Sequence, residues 1–310
     1  MSELGEVLVV TVRKSFWASP EAERWPRRLY ARVLYGHSTN LINSLLVFAR
    51  ALAAILLRPP RLVLLGSMER TVPWFIRARR MRLLRGARLV VTNQLNLSSE
   101  QLEQVDRVIV YASAQAAALG TKGVFLPLPA DGDFDAARRS AERGRYVFAG
   151  GGAGRDFKSV IEAVRGSDVR LEIITFSAET LGVDRPIPAN VHVRFRATQE
   201  EFLAKMAGAA VAVVPLVSRE SPHGQTTLVQ ALALQKPVVV TRAVGTADYV
   251  RDGSGIFMVD AGDIEGYRRS IETALSLSEV GGDMRKGVES YGSFDRRLRS
   301  VCADVLGSRP

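Results

Sequence analysis

The chain is poor in the residues that staple small folds or cage metals. It holds one cysteine, Cys302, and three histidines scattered over 310 residues. A lone cysteine excludes an internal disulfide framework and any cysteine-rich zinc site, and a reducing compartment is the natural expectation. No apolar run reaches the roughly 20 residues that a membrane-spanning helix needs. The longest, Leu41 to Leu57, is interrupted by Asn43, Ser44 and Arg50, so it reads as a helix buried against a sheet. A secretory leader is not expected either, because Met1 to Glu6 is polar and acidic and Val7 to Val12 is too short for an apolar signal core. Low-complexity segments and sequence-level repeats are missing as well.

What is present points to a large soluble core. Hydrophobic residues make up 47% of the chain, and at roughly 100–200 residues per domain the length suggests two domains. Charge is uneven: residues 1–129 hold 18 Lys+Arg against 8 Asp+Glu, so the whole formal charge of +10 lies in that half. Arg77, Arg79, Arg80, Arg82, Arg85 and Arg88 crowd one stretch just after Trp74, Phe75 and Ile76. On a helical wheel they spread around the axis, which leaves two readings open: a solvated arginine-rich helix, or a peripheral contact with anionic membrane or another polyanion. Nucleic acid is not expected, since no recognition motif accompanies the charge.

Read along the chain, strands alternate with helices, which implies parallel sheets joined by crossover helices. In the first half Glu6 to Val12, Arg61 to Leu65, Ala87 to Thr92 and Arg107 to Tyr111 read as strands, with helices at Thr39 to Leu57 and Thr71 to Leu84, and Val124 to Leu128 adds a short apolar segment. Asp131 to Asp135 reads as a linker. Strands then recur at Tyr146 to Ala149, Arg170 to Thr175, Val191 to Phe195, Ala209 to Val214, Pro237 to Val240 and Ile256 to Val259. The expected fold class is therefore α/β, with two doubly wound Rossmann-like domains, 1–130 and 131–310, facing a central cleft. The last helix, Phe294 to Leu306, is left free to cross back to the first domain.

The most informative stretch runs from Pro222 to Thr241. It reads as a glycine turn, a short helix and a buried strand, preceded by the apolar strand Val211 to Leu216. Helix N-termini leave backbone amides unpaired and carry partial positive charge, so Gly224, Gln225, Thr226 and Thr227 offer donors to an anion such as a phosphate. The turn Gly150 to Gly154 after the strand ending at Ala149 serves either close helix packing or a ligand. His223 and His37 are the candidates for acid/base work, though turn and capping roles explain both as well. Asn93, at the end of another strand, is explained equally by turn chemistry.

Three segments carry a family resemblance. Tyr146 to Ala163, Gly224 to Thr241, and Gly245 to Val259 are similar to the donor domain of GT-B glycosyltransferases, in particular the retaining, family-four type. The resemblance covers residues 145–277 well and the first half only in general layout. It implies a nucleoside-diphosphate sugar as co-substrate, with no separate cofactor and no metal. It implies that Arg155, standing where the family usually has lysine, and Lys158 neutralise the diphosphate. Gly151, Gly152, Gly224, Gln225, Thr226 and Thr227 would line the donor, Ser177 would border the base, and Gln230 would contact the ribose. The family's first carboxylate position falls on Pro222, which leaves Glu220 as the replacement or as a solvated loop residue. Gly36, His37 and Asn93 would face the transferred sugar or the acceptor.

The implied reaction is sugar transfer to a hydroxyl of a glycan, glycolipid or natural product with retention of configuration, in the cytoplasm or at the inner membrane face. Two alternatives stay open: a nucleotide-sugar epimerase, and a noncatalytic protein that binds a nucleotide sugar or docks on a membrane or polyanion.

Overall fold

Strands that are apolar along their whole length need cover on both faces, and the protein supplies it twice. The computed structural model describes residues 6–12, 15–31, 41–66, 70–93, 96–250, 255–277 and 288–307. They fall into two units, Met1–Pro127 with Ser290–Pro310, and Leu128–Glu289.

In the first unit, β1 (Val7–Val12), β2 (Arg28–Ala31), β3 (Leu62–Gly66), β4 (Arg88–Thr92), β5 (Arg107–Val110) and β6 (Gly123–Phe125) form one sheet in the order β2-β1-β3-β4-β5-β6. Every pairing is parallel. Alternation splits each strand between two cores: Leu8, Val10, Val63 and Leu65 pack on one face, and Val7, Val9, Leu62 and Leu64 on the other. The second face is covered by the C-terminal helix Tyr291–Gly307, which buries Phe294, Leu298 and Cys302 beside Trp17 and Trp25. Burial pushes the Cys302 thiol up to about 12. Trp25 Nε1 donates to Asp295 Oδ1 at 2.7 Å, and Arg299 stacks over the indole while donating to the same carboxylate.

The helix Leu41–Leu57 departs from the expectation of full burial. Ser44, Val47, Ala51 and Ile55 face the core, but Leu45, Leu46 and Leu57 lie in solvent. The arginine-rich helix also ends earlier than expected, at Val72–Arg80, and its charges are largely committed. Arg79 and Arg88 pair with Asp106, whose carboxyl they help hold below the ordinary range against the opposing effect of burial. Arg80 pairs with Glu100. Strand β2 was not expected, since its Arg28-Leu29-Tyr30-Ala31 sequence has no apolar run and it survives as a sheet edge.

In the second unit β7 (Tyr146–Gly150), β8 (Arg170–Thr175), β9 (Val191–Phe195), β10 (Val211–Val214), β11 (Val238–Thr241) and β12 (Ile256–Val259) lie in the order β12-β11-β10-β7-β8-β9, again all parallel. Tyr146, Phe148, Ala212 and Val214 point to one core, and Val147, Ala149, Val211 and Val213 to the other. The expected linker at Asp131 to Asp135 instead runs into a short helix, Phe134–Ser140, whose N-cap Asp133 accepts from Ala136 N at 2.8 Å. Strand order reverses between β7 and β10, so the chain leaves these neighbours in opposite directions. In open α/β sheets ligands bind at such a switch point, outside the carboxyl ends of the strands.

Candidate functional site

Two loops of the second unit meet at this reversal. Residues 151–156 follow β7 and residues 215–224 follow β10. Backbone bonds zip them together: Asp156 N to Pro215 O at 3.2 Å and Val217 N to Gly154 O at 3.1 Å. Gly151 and Gly154 take φ of +116° and +65°, conformations that side-chain-bearing residues rarely adopt. Space is equally restrictive. A Cβ on Gly151 would stand 2.6 Å from Arg155 Nη2, and one on Gly154 would stand 2.7 Å from His223 Cδ2.

Arg155 closes this loop onto the next. Its Nε donates to Gly150 O at 3.0 Å, Nη1 to Ala153 O at 3.0 Å and Nη2 to Thr227 Oγ1 at 2.9 Å. Among the described residues no carboxylate pairs with it. Desolvation lowers its pKa to about 10, so it remains a cation at neutral pH, held by neutral acceptors. A half-buried cation without a counterion favours an incoming anion.

The second loop enters the helix Gln225–Ala233 through Gly224 at φ +99°. Gln225 Nε2 donates to Pro222 O at 2.8 Å and braces the turn. Among the described residues the amides of Gln225, Thr226 and Thr227 have no protein acceptor, as the first turn of a helix dictates. Ser221, 4% exposed, has a buried hydroxyl with no hydrogen-bond partner, 3.1 Å from where a Cβ on Gly154 would sit. His223 is half-buried, and its pKa is lowered first by desolvation and then by the charge of Arg155. The imidazole is therefore neutral at neutral pH. The corner thus collects one cation, a neutral histidine, an orphan hydroxyl and free amides, a set suited to phosphate oxygens.

Arg155, Gly151, Gly154, Ser221, His223, Gly224 and Thr227 are brought together. Gly152 lies beside them under the Phe176 ring, which a Cβ would meet at 2.3 Å, and Ser177 follows at the carboxyl end of β8. Lys158 is engaged elsewhere: it is the second residue of the helix Phe157–Val164, and its Nζ pairs with Asp184 at 2.5 Å on an exposed surface. Gln230 is 4% exposed and its amide nitrogen donates to Asp131 O at 2.9 Å, which occupies the group expected to contact ribose. Glu220 is exposed in a turn and makes no hydrogen bond or ion pair among the described residues. Asn93, in the first unit, sits at φ +54° with its amide bonded to Ile109 O at 2.7 Å, consistent with the turn reading. Gly36 and His37 lie outside the described residues. Ser221 was missed because a serine in an irregular loop carries no periodic signal.

Two six-stranded parallel sheets covered by helices define an α/β protein of the GT-B fold class. Solved structures agree: a glycosyltransferase from Rickettsia africae ESF-5 superposes with a TM-score of 0.65 at 11% identity, over 99% of this chain and 92% of that one. Anabaena Alr3699/HepE in complex with UDP-glucose superposes with a TM-score of 0.66 at 13% identity, over 96% and 91%. Residues 153–276 match the family model described as glycosyl transferases group 1. Over 121 residues the chain is 33% identical to the lipopolysaccharide core biosynthesis glycosyltransferase LpsE of Rhizobium meliloti (strain 1021). That alignment spans 38% of this chain and 35% of the relative's length.

Proposed function

We propose that the protein is a glycosyltransferase that takes a sugar from a nucleoside-diphosphate sugar and passes it to a hydroxyl of a glycan, glycolipid or natural product, with retention of configuration. One observation carries the reading: the Arg155 guanidinium, lacking a carboxylate, lies against the first turn of the helix Gln225–Ala233. The family match over residues 153–276 and the UDP-glucose held by HepE support a nucleotide sugar as the anion.

In this reading the diphosphate lies across the amides of residues 225–227, with Arg155 and the Ser221 hydroxyl on its oxygens. Negative charge grows on the leaving phosphate as the glycosidic bond breaks, and a fixed guanidinium and oriented amides stabilise that charge without reorganising. The leaving phosphate oxygen accepts the proton of the incoming hydroxyl, so no protein base is required. Neither a metal nor a cofactor takes part. The buried thiol of Cys302 fits a reducing, cytoplasmic setting.

Pro222 at the expected carboxylate position, with Glu220 left in solvent, supports a second reading in which the site binds a nucleotide sugar without turning it over. The experiment is a thermal-shift panel of uridine, guanosine, thymidine and adenosine diphosphates, followed by nucleotide release from the matching sugar donor with and without acceptor. Stabilisation by one nucleotide, lost in Arg155→Ala, and acceptor-dependent release are expected. Binding without release under any acceptor selects the noncatalytic reading; no binding by any nucleotide rejects both.

A further inference from the structure

The helix Leu41–Leu57 of the first unit is apolar nearly all the way round, and Arg50 is its one charge. Helices of that composition are ordinarily enclosed. This one turns half its circumference to solvent: Leu41, Ile42, Leu45, Leu46, Leu56 and Leu57 are 45–87% exposed. At 100° per residue these side chains, with the exposed Ala49 and Ala53 between them, fill one continuous half of the wheel. So large an apolar face marks a surface that meets something.

The charge around it says what. Arg50 borders the face and Arg58 follows its last turn, both exposed. Arg85 Nη1 donates to Leu56 O at 3.2 Å, and Arg27 Nη2 to Arg58 O at 2.6 Å, which sets two more guanidinium groups at the same end. From residue 24 to residue 99 the sequence holds 14 arginines and one acid, Glu69, and only Arg61, Arg79, Arg80 and Arg88 of those described pair with acids, Glu6, Asp106 and Glu100, outside that stretch. An isologous dimer through this face would bring arginine-rich surfaces against each other, at an electrostatic cost. A bilayer with anionic headgroups fits both features: leucines enter the acyl boundary, and guanidinium groups bind lipid phosphates bidentately at its rim. Among the described residues no helix is long and apolar enough to cross a membrane, and a helix with one apolar half suits the interface plane.

We infer that the exposed face of Leu41–Leu57, collared by Arg50, Arg58 and Arg85, docks the protein on membranes containing anionic phospholipid. The surface belongs to the first unit alone and stands whether or not the nucleotide reading holds.

The test is cosedimentation of the full chain with phosphatidylcholine vesicles, with and without phosphatidylglycerol. Binding is expected only with phosphatidylglycerol. It should weaken by about tenfold or more in a Leu45→Glu/Leu46→Glu variant and by several-fold in Arg50→Ala/Arg58→Ala, which should also show less salt dependence. A separate Leu46→Trp chain should shift its emission to the blue with the anionic vesicles, which decides the matter if the acidic variant does not fold. Equal binding by the acidic variant, equal binding to neutral vesicles, or no emission shift overturns the inference. So does a lipid-free dimer that Leu45→Glu/Leu46→Glu splits, since a second copy then covers the face.

Discussion

Arg155 Nη2 donates to Thr227 Oγ1 at 2.9 Å, although the two residues are 72 positions apart in the chain. The bond joins the glycine loop after β7 to the start of the helix after β10. It holds the guanidinium where an anion on the helix N-terminus would meet it. Replacing Arg155 by alanine should weaken nucleoside-diphosphate binding by about 1.5–3 kcal/mol, or roughly tenfold to a hundredfold in Kd by titration calorimetry. Thr227→Val should cost only a few-fold, since it releases the guanidinium without removing it.

Lys158 makes the opposite prediction. Its ammonium is exposed and pairs with Asp184, an arrangement that raises the lysine's pKa chiefly through that hydrogen bond. Lys158→Ala should change nucleotide affinity by less than about threefold, because exposed pairs contribute little. A loss matching that of Arg155→Ala would show that the lysine swings onto the ligand.

Gly151→Ala tests the loop itself. At φ +116°, with Arg155 Nη2 2.6 Å from the added carbon, the substitution strains the backbone and displaces the guanidinium. Destabilisation of about 1–3 kcal/mol is expected in denaturant melts read by circular dichroism, together with loss of nucleotide binding.

His223 should couple binding to pH. Its folded pKa lies below the ordinary 6.5, with desolvation the larger cause and Arg155 the smaller. The unfolded chain therefore takes up this proton first, so the histidine's contribution to stability is complete above pH 6.5 and is lost as pH falls from there to the folded value. A bound diphosphate reverses the local field and raises the pKa, so binding near pH 6 should be accompanied by proton uptake. Calorimetry in buffers of different ionisation enthalpy should detect that uptake, and His223→Ala should abolish it.

Trp25 and Asp295 tie the C-terminal helix to the first unit. Asp295→Ala should destabilise it by about 3 kcal/mol, because a fully buried indole N–H loses its acceptor and Arg299 its carboxylate. Trp17, Trp25 and Trp74 all belong to this unit, so tryptophan emission in urea reports on it alone. Trp25→Phe/Asp295→Ala should be less destabilised than the sum of the single variants.

The strands were legible wherever apolar residues ran uninterrupted. In the second sheet Tyr146–Gly150, Val211–Val214, Val238–Thr241 and Ile256–Val259 coincide with such runs to within a residue or two, while Arg170–Thr175 and Val191–Phe195 carry charged or polar residues among their apolar ones. Strand Arg28–Ala31 was not, because an edge strand needs no apolar run. Among site residues, the Gly224 turn announced itself through glycine, threonine and the following helix. Ser221 did not, since its significance lies in a hydroxyl left without a partner when the loops close.

The amino-acid order by itself determined two parallel sheets and a loop with free amides at a helix start, because periodicity, glycine and apolar runs act through neighbours along the chain. Only the tertiary structure decided that Arg155 and not Lys158 reaches that loop, that Trp25 meets Asp295, and that half of Leu41–Leu57 stays uncovered. Those outcomes depend on which distant segments the sheet register sets side by side. Local pattern carries no measure of that distance.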